Sequence, residues 1–381
     1  MIYLDHAATT PLRPAVAAVM EAAGREGFAN PSSQHAAGRR ARQILEDARE
    51  RILAAIGCRT TGPDRYRLVF TSGATEANRL AVVGMGRAAR GAVAVSARDH
   101  ESLRAAAASL ATRPGWNLST LPLDSRGRLD PAAVSAWLAD TSAAGHQILC
   151  TTLVCGQTGS RESPLLVGPA TEPRCLVHSD ATQAVAFTSI DVPRLGVATL
   201  ALAPHKFGGP RGIGGLVVRR DVDLEPLHPG PQETGMRGGT ESVALAAGFA
   251  TAIELACAER VEVSRHLAGL RDRFEAGMVA AAERRGITAS VLGGAGDRSP
   301  HLSTIGFAGR DRQAIVMAAD LAGLCCATGT ACASGSSEPA PALAAMGLPE
   351  PMARGAVRFS FGSATAAAEI DRAIALLEGL L

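Results

Sequence analysis

Three observations predict a large α/β domain followed by a smaller α+β unit. Short apolar runs of strand composition alternate with stretches of helical period through the first two thirds of the chain. Two of those runs end in small polar turns, Thr71-Ser72-Gly73-Ala74-Thr75 and His178-Ser179-Asp180-Ala181-Thr182-Gln183. Such alternation implies mostly parallel strands with helices on both faces. From about Glu254 it gives way to a long helical stretch and a remainder of mixed pattern.

In order along the chain, residues 13–24 and 36–56 read as helices, the second with charges on one face and Ala, Ile and Leu on the other. Residues 66–70 form a strand, the turn at 71–75 follows, and a helix opens at Glu76. Further short buried strands are expected at 92–96, 147–154, 175–178, 199–203 and 213–219. The boundaries drawn are 15–255 for the large domain, and 1–14 with 256–381 for the small one, the N-terminal segment packing against the latter.

Composition limits the function classes. The chain has 381 residues, 47% hydrophobic and 19% charged, enough for a sizeable core. A net charge of +2 is too small to argue for nucleic acid or an acidic membrane surface. Most of the positive charge is arginine. The eight cysteines, Cys58, Cys150, Cys155, Cys175, Cys257, Cys325, Cys326 and Cys332, show no CxxC spacing, so neither a metal site nor a disulfide scaffold is expected. The N-terminus lacks a basic region followed by an apolar one, and the apolar window 314–333 contains Asp320. A cytoplasmic protein with no membrane span is expected.

Three motifs carry chemistry. Residues 71–78, TSGATEAN, place hydroxyls and free N–H groups at a helix start, either a phosphate cradle or an ordinary capped turn. Asp180 ends a buried run, where α/β folds place cofactor-binding groups, although an N-cap reads equally well. Lys206, in Ala203-Pro204-His205-Lys206-Phe207-Gly208-Gly209-Pro210, follows an apolar strand. Desolvation there would lower its pKa and make it a nucleophile toward an aldehyde; a snorkelling surface lysine is the plain alternative. Cradle, aspartate and lysine, in that order, are the three handles that pyridoxal phosphate needs.

The chain resembles the cysteine desulfurases, within the fold-type-I pyridoxal-phosphate enzymes, over nearly its whole length. The resemblance rests on YLDHAATTPLRPAV at 3–16, NPSSQHAAGRRA at 30–41, TSGATEAN at 71–78, DHES at 99–102 and HSDATQAV at 178–185. HKFGGPRGIGGLVVRR at 205–220, GMRGGTESV at 235–243, GTACASGSSEP at 329–339 and AVRFSFG at 356–362 complete it. The cysteine-bearing stretch looks like the branch with a longer active-site loop. The resemblance implies Lys206 as the Schiff-base lysine, Asp180 as partner of the pyridinium nitrogen, and Gln183 as donor to the phenolic oxygen. It implies His100 stacked on the ring, Ala74, Thr75 and His205 on the phosphate, and Thr240 reaching across from a second subunit of a homodimer. Arg358 would pair with the substrate carboxylate, with Asn30 in the substrate-side loop.

Cys332 would attack the sulfur of L-cysteine and hold it as a persulfide for an acceptor protein. Its setting of small residues suits a mobile, exposed thiol, though cysteine chemistry alone also allows an inert one; Cys326 is a second candidate. One departure stands out. Where the family usually carries Asn-Asn-Glu-Thr-Gly, this chain has Cys155-Gly156-Gln157-Thr158-Gly159, so a hydrogen bond to the phenolic oxygen is lost at Gly156. Two alternatives follow: a selenocysteine lyase on the same scaffold, or a catalytically weakened sulfur-transfer scaffold. The route of the sulfur is open among iron–sulfur assembly, tRNA thiolation, DNA-backbone modification and biosynthesis.

Overall fold

The computed structural model describes residues 1–59, 61, 62, 65–140, 145–162, 175–294, 296–329 and 338–381. Strand β1 (Ile2–Tyr3) leads into helices α1 (Pro14–Glu26) and α2 (Ala36–Ala55). Pro14 opens α1, where a missing N–H costs nothing, and His35 caps α2 by accepting from the Gly38 N–H at 3.2 Å.

The alternating part follows: β2 (Tyr66–Thr71), α3 (Ala74–Met85), β3 (Gly91–Ser96), α4 (Glu101–Ala111), β4 (Trp116–Leu121) and α5 (Pro131–Ala139). It continues with β5 (His146–Thr152), β6 (Cys175–Asp180), α6 (Val192–Leu195), β7 (Thr199–Leu202) and β8 (Gly214–Arg219). These strands form one seven-stranded sheet in the order β2-β8-β7-β6-β5-β3-β4. All run in one direction except β8, which is antiparallel to both β2 and β7. The expectation of a mostly parallel sheet holds, and the exception has a chain-length cause. Residues 203–213 between β7 and β8 contain no crossover helix, so the chain turns back beside its own strand.

Apolar side chains cover both sheet faces. Leu45 and Ile52 of α2, Val134 of α5 and Phe249 and Ile253 of the later helix α7 pack on one face. Leu80 of α3 and Leu103 and Leu110 of α4 pack on the other. A strand buried on both faces reads as an unbroken apolar run, as in the wholly buried Gly91–Ser96. Edge strand β4 differs, exposing Asn117, Leu118 and Thr120 between buried Trp116 and Leu121.

Helix α7 (Val243–Arg284) is 42 residues long and starts well before residue 254. Its first turns, Val243 to Ile253, are buried almost all round, which erases the amphipathic period that would have marked them. Beyond it lie β9 (Ala289–Val291), β10 (Leu302–Phe307), α8 (Arg312–Leu321), β11 (Leu324–Cys325), α9 (Pro341–Ala345), α10 (Glu350–Arg354), β12 (Ala356–Ser360) and α11 (Ala367–Leu380). Strands β12, β10 and β9 form an antiparallel sheet around Phe274, Phe307, Phe359 and Phe361. Strand β1 pairs in parallel with β11, Ile2 opposite Leu324 and Tyr3 opposite Cys325, which carries the following residues over the large sheet. Among the described residues no helix is long and apolar enough to cross a membrane.

Candidate active site

The co-directed strands bring their C-terminal ends to one edge of the sheet. From that edge emerge the turn 71–73 after β2, His100 after β3, Gly156 and Gln157 after β5, Asp180 at the end of β6 and Lys206 after β7. Open α/β sheets place ligands in this crevice.

Lys206 is the sole lysine of the chain. It closes a 3₁₀ turn, Pro204–Lys206, and is half-buried. Its Nζ donates to the carbonyls of Ala7 and Ala8, at 2.8 Å each. The N-terminal segment clasps the turn from above: the Thr10 N–H donates to the His205 carbonyl at 2.9 Å, and the Thr10 hydroxyl accepts from the Gly208 N–H at 2.7 Å. His205 meets the Thr9 hydroxyl at 3.2 Å through Nδ1, and burial beside Lys206 and Arg211 lowers its pKa to about 4. The imidazole is therefore neutral at working pH.

Asp180 is 3% exposed and spends one carboxylate oxygen on the Thr182 N–H and the other on Asn78, whose Nδ2 donates at 2.9 Å. Asn78 is wholly buried at the first turns of α3 and uses every polar atom. Its second N–H goes to the Ser102 hydroxyl at 3.0 Å, and its Oδ1 faces His178 Nε2 at 2.9 Å. Because Oδ1 can only accept, His178 carries its proton on Nε2, and Nδ1 accepts from the Thr199 hydroxyl at 2.8 Å. The Ser102 hydroxyl, accepting from Asn78, passes its own proton toward His100 Nδ1 at 2.8 Å; the Ser102 N–H points to the same nitrogen at 3.2 Å. His100 thus holds its proton on Nε2. Asn78 and Ser102 join Asp180 to His100 in one hydrogen-bonded network.

Gln183 donates from Nε2 to the Ala7 carbonyl at 2.8 Å, which sets it beside Lys206. Arg358, 5% exposed in the middle of β12, donates to Asp5 Oδ1 at 2.9 Å and to the Gly156 carbonyl at 3.0 Å. Its Nε is buried without a partner among the described residues, a donor left over for an anionic ligand. Gln157 is buried against Gly329, with neither amide atom hydrogen-bonded to a described residue. Among the described residues, a Cβ added at Gly156 would come no closer than 3.8 Å to a neighbour, and what it would meet is Gln183.

Ala74 and Thr75 start α3, which has no side-chain cap among the described residues, and a Cβ built on Gly73 would meet no described atom within 4 Å. Asn30 is exposed on a local turn, its Oδ1 accepting from the Ser32 N–H at 2.8 Å, and no described contact joins it to Lys206. Thr240 is exposed on the loop before α7. That loop is pinned at Glu233, which accepts from Arg49 and from the Phe70 N–H at 2.8 Å. Cys332 lies outside the described residues. Cys326 is held near pKa 12 by burial, reinforced by Asp5, so its thiolate is scarce at neutral pH. Sequence reasoning missed Asn78, Ser102 and Asp5 as partners. It also missed the Ala7 and Ala8 carbonyls, because a main-chain acceptor has no side-chain signature.

This donor set fits pyridoxal phosphate. The uncapped, sterically open start of α3 offers N–H groups to a phosphate, Asp180 offers a carboxylate fixed by two donors, and Lys206 is the one primary side-chain amine available.

A family model described as aminotransferase class-V matches residues 2–373. The chain is 33% identical to the cysteine desulfurase IscS of Dictyoglomus turgidum, covering 100% of this chain and 94% of the relative. It is 36% identical to an IscS-like cysteine desulfurase of Mycobacterium tuberculosis, covering 100% and 96%. Among solved structures, SspA in complex with cysteine superposes with a TM-score of 0.76 at 25% identity, covering 96% of this chain and 100% of that one.

Proposed function

The chain belongs to the aminotransferase class-V family, and from that premise we propose that it is a pyridoxal-phosphate-dependent cysteine desulfurase acting on L-cysteine. The observation that carries this reading is the position of the only lysine, half-buried at the same sheet edge as Asp180 and an uncapped helix start. When bound, the cofactor supplies an aldehyde for amines and a ring that accepts the electron pair of the substrate α-carbon.

The chain's own residues do the rest. Lys206 Nζ would accept the substrate's α-proton. Asp180 would face the ring nitrogen of the bound cofactor, and Asn78 and the Thr182 N–H keep that carboxylate aimed. Gln183 would donate to the phenolic oxygen of the bound cofactor. Arg358 receives the substrate carboxylate, its planar fork suited to two parallel hydrogen bonds. His100, protonated on Nε2, offers a proton there while Nδ1 accepts from Ser102.

The Cys332 thiolate attacks the substrate sulfur. The carbon–sulfur bond breaks toward carbon, which takes a proton and becomes the methyl group of alanine. The sulfur remains on Cys332 as a persulfide, so cysteine plus thiol gives alanine plus persulfide with no outside oxidant. A protein thiol is the chemistry that would then receive the sulfur. Thr240 on its pinned, exposed loop supports a homodimer in which each loop completes the neighbour's phosphate cradle. The free thiols at all seven described cysteines are in keeping with a cytoplasmic setting.

The test is to incubate the holoenzyme with L-cysteine and follow alanine and protein-bound persulfide. Both should form in the wild type, and Cys332→Ala should lose both by at least about 100-fold. Undiminished persulfide in that variant would move the nucleophile elsewhere, and no alanine from the wild type would end the reading.

A further inference from the structure

We propose that His301 is a positioning residue for Gln183: it holds the Gln183 amide so that one N–H is kept for the cofactor's phenolic oxygen. The inference rests on the pyridoxal phosphate reading of the site.

The geometry permits only one assignment of protons. The Ala7 carbonyl can only accept, so the Gln183 amide nitrogen faces it, at 2.8 Å. Gln183 Oε1 is thereby turned toward His301 Nε2, at 3.1 Å. That oxygen also only accepts, so Nε2 must carry the imidazole proton. Nδ1 is then bare and accepts from the Ser299 hydroxyl, at 2.7 Å. One main-chain carbonyl thus fixes the direction of every hydrogen bond back to Ser299. The second Gln183 N–H is left over, on the residue that shares its acceptor with Lys206.

The surroundings keep His301 in this state. The ring is 2% exposed and stacks on Phe187 at 4.1 Å between centroids and 12° between planes. Its own carbonyl accepts from the Phe361 N–H at 2.8 Å, and the Ser299 N–H donates to the Gly159 carbonyl at 2.8 Å, so both ends of the relay are tied to main chain. Burial, with the charges of His6, Arg358, Arg161 and Lys206 facing the ring, lowers its pKa to about 3. The imidazole therefore stays neutral. On the other flank of Gln183, Gly156 has no side chain to steady the amide. His301 and the Ala7 carbonyl are its two points of support.

His301→Phe keeps the ring, the volume and the stack on Phe187 but removes the donor. His301→Gln places an amide N–H near the same spot without the ring. The readout is the pH titration of the holoenzyme's visible cofactor band, which a merely packing role would not move. Weaker donation to the phenolic oxygen makes it more basic, so the midpoint in His301→Phe should rise by roughly 0.5–1 pH unit, the equivalent of one neutral hydrogen bond. His301→Gln should return it toward the wild-type value. Wild-type ¹⁵N imidazole shifts, assigned by the loss of one signal in His301→Gln, should show Nε2 protonated and Nδ1 bare, and this holds even if His301→Phe does not fold. A wild-type midpoint in His301→Phe, or a proton on Nδ1, overturns the proposal. A wild type with no visible band at all instead removes the cofactor reading, and the proposal with it.

Discussion

Gln183 and Lys206 share a single acceptor: the carbonyl oxygen of Ala7 lies 2.8 Å from the amide nitrogen of one and 2.8 Å from Nζ of the other. The N-terminal segment is therefore a wall of the site. It stands there because β1 pairs with β11 and because Thr10 bonds both His205 and Gly208. Two main-chain carbonyls, of Ala7 and Ala8, hold Lys206 Nζ in one orientation.

Since the chain contains no other lysine, borohydride reduction of the holoenzyme should fix the cofactor to one peptide only, that carrying residue 206. Lys206→Arg keeps the charge and removes the nucleophilic amine. It should show no reducible adduct and a loss of alanine formation of about 1,000-fold or more. Peptide mass analysis before and after reduction checks this, and an adduct elsewhere would refute it.

Arg358 meets the site already partnered, with Asp5 at 2.9 Å and the Gly156 carbonyl at 3.0 Å. A lysine there would lose the planar fork and its two-point hold on a carboxylate. Arg358→Lys should raise KM for L-cysteine by roughly 10–100-fold while lowering kcat much less, the signature of lost ground-state binding. Steady-state alanine formation measures it; an unchanged KM would detach Arg358 from the substrate.

How much of this was legible in sequence depends on what makes a signal. Strand β3 and the turn after β2 were readable because burial on both faces leaves an apolar run and a helix start leaves small polar residues. Strand β4 was not: an edge strand with Asn117, Leu118 and Thr120 exposed has neither an apolar run nor a strict alternation. The start of α7 was hidden by its own burial, and the reversal of β8 by the fact that periodicity has no direction. Lys206 and Asp180 stood out in the sequence by position, each after an apolar run. His301, between Ser299-Pro300 and Leu302-Ser303, carries no motif in the sequence, and its role shows only when its two nitrogens are traced to Ser299 and Gln183.

Two fully buried histidines make the fold less stable as the pH falls. Burial lowers His178 to about 4 and His301 to about 3, against an ordinary value near 6.5. Below pH 6.5 the unfolded chain binds protons that the folded chain refuses, so the contribution is complete above 6.5 and is lost as pH falls toward 4. Each group contributes a slope of up to about 1.4 kcal/mol per pH unit in that window, roughly 2–3 kcal/mol per pH unit for the two together. Urea midpoints of the holoenzyme at pH 7, 6 and 5 should fall accordingly. His301→Gln should flatten the slope, and an unaltered slope in that variant would show that His301 is protonated in the folded state.

Gly156 stands where the family resemblance implies an asparagine, and an asparagine can be accommodated there in steric terms. A Cβ there has 3.8 Å of clearance to Gln183, and the residue does not lie in the left-handed region, so asparagine fits without backbone strain. The bond from Arg358 to residue 156 uses the main-chain carbonyl and survives the change. Gly156→Asn should therefore leave the urea midpoint nearly unchanged while placing a second amide donor beside Gln183. One neutral hydrogen bond of about 1 kcal/mol corresponds to roughly fivefold slower loss of cofactor. Release of cofactor to a trapping apo-enzyme measures that rate. Faster release in Gly156→Asn would mean that Gly156 keeps room for some other group, and that Gln183 already satisfies the phenolic oxygen unaided.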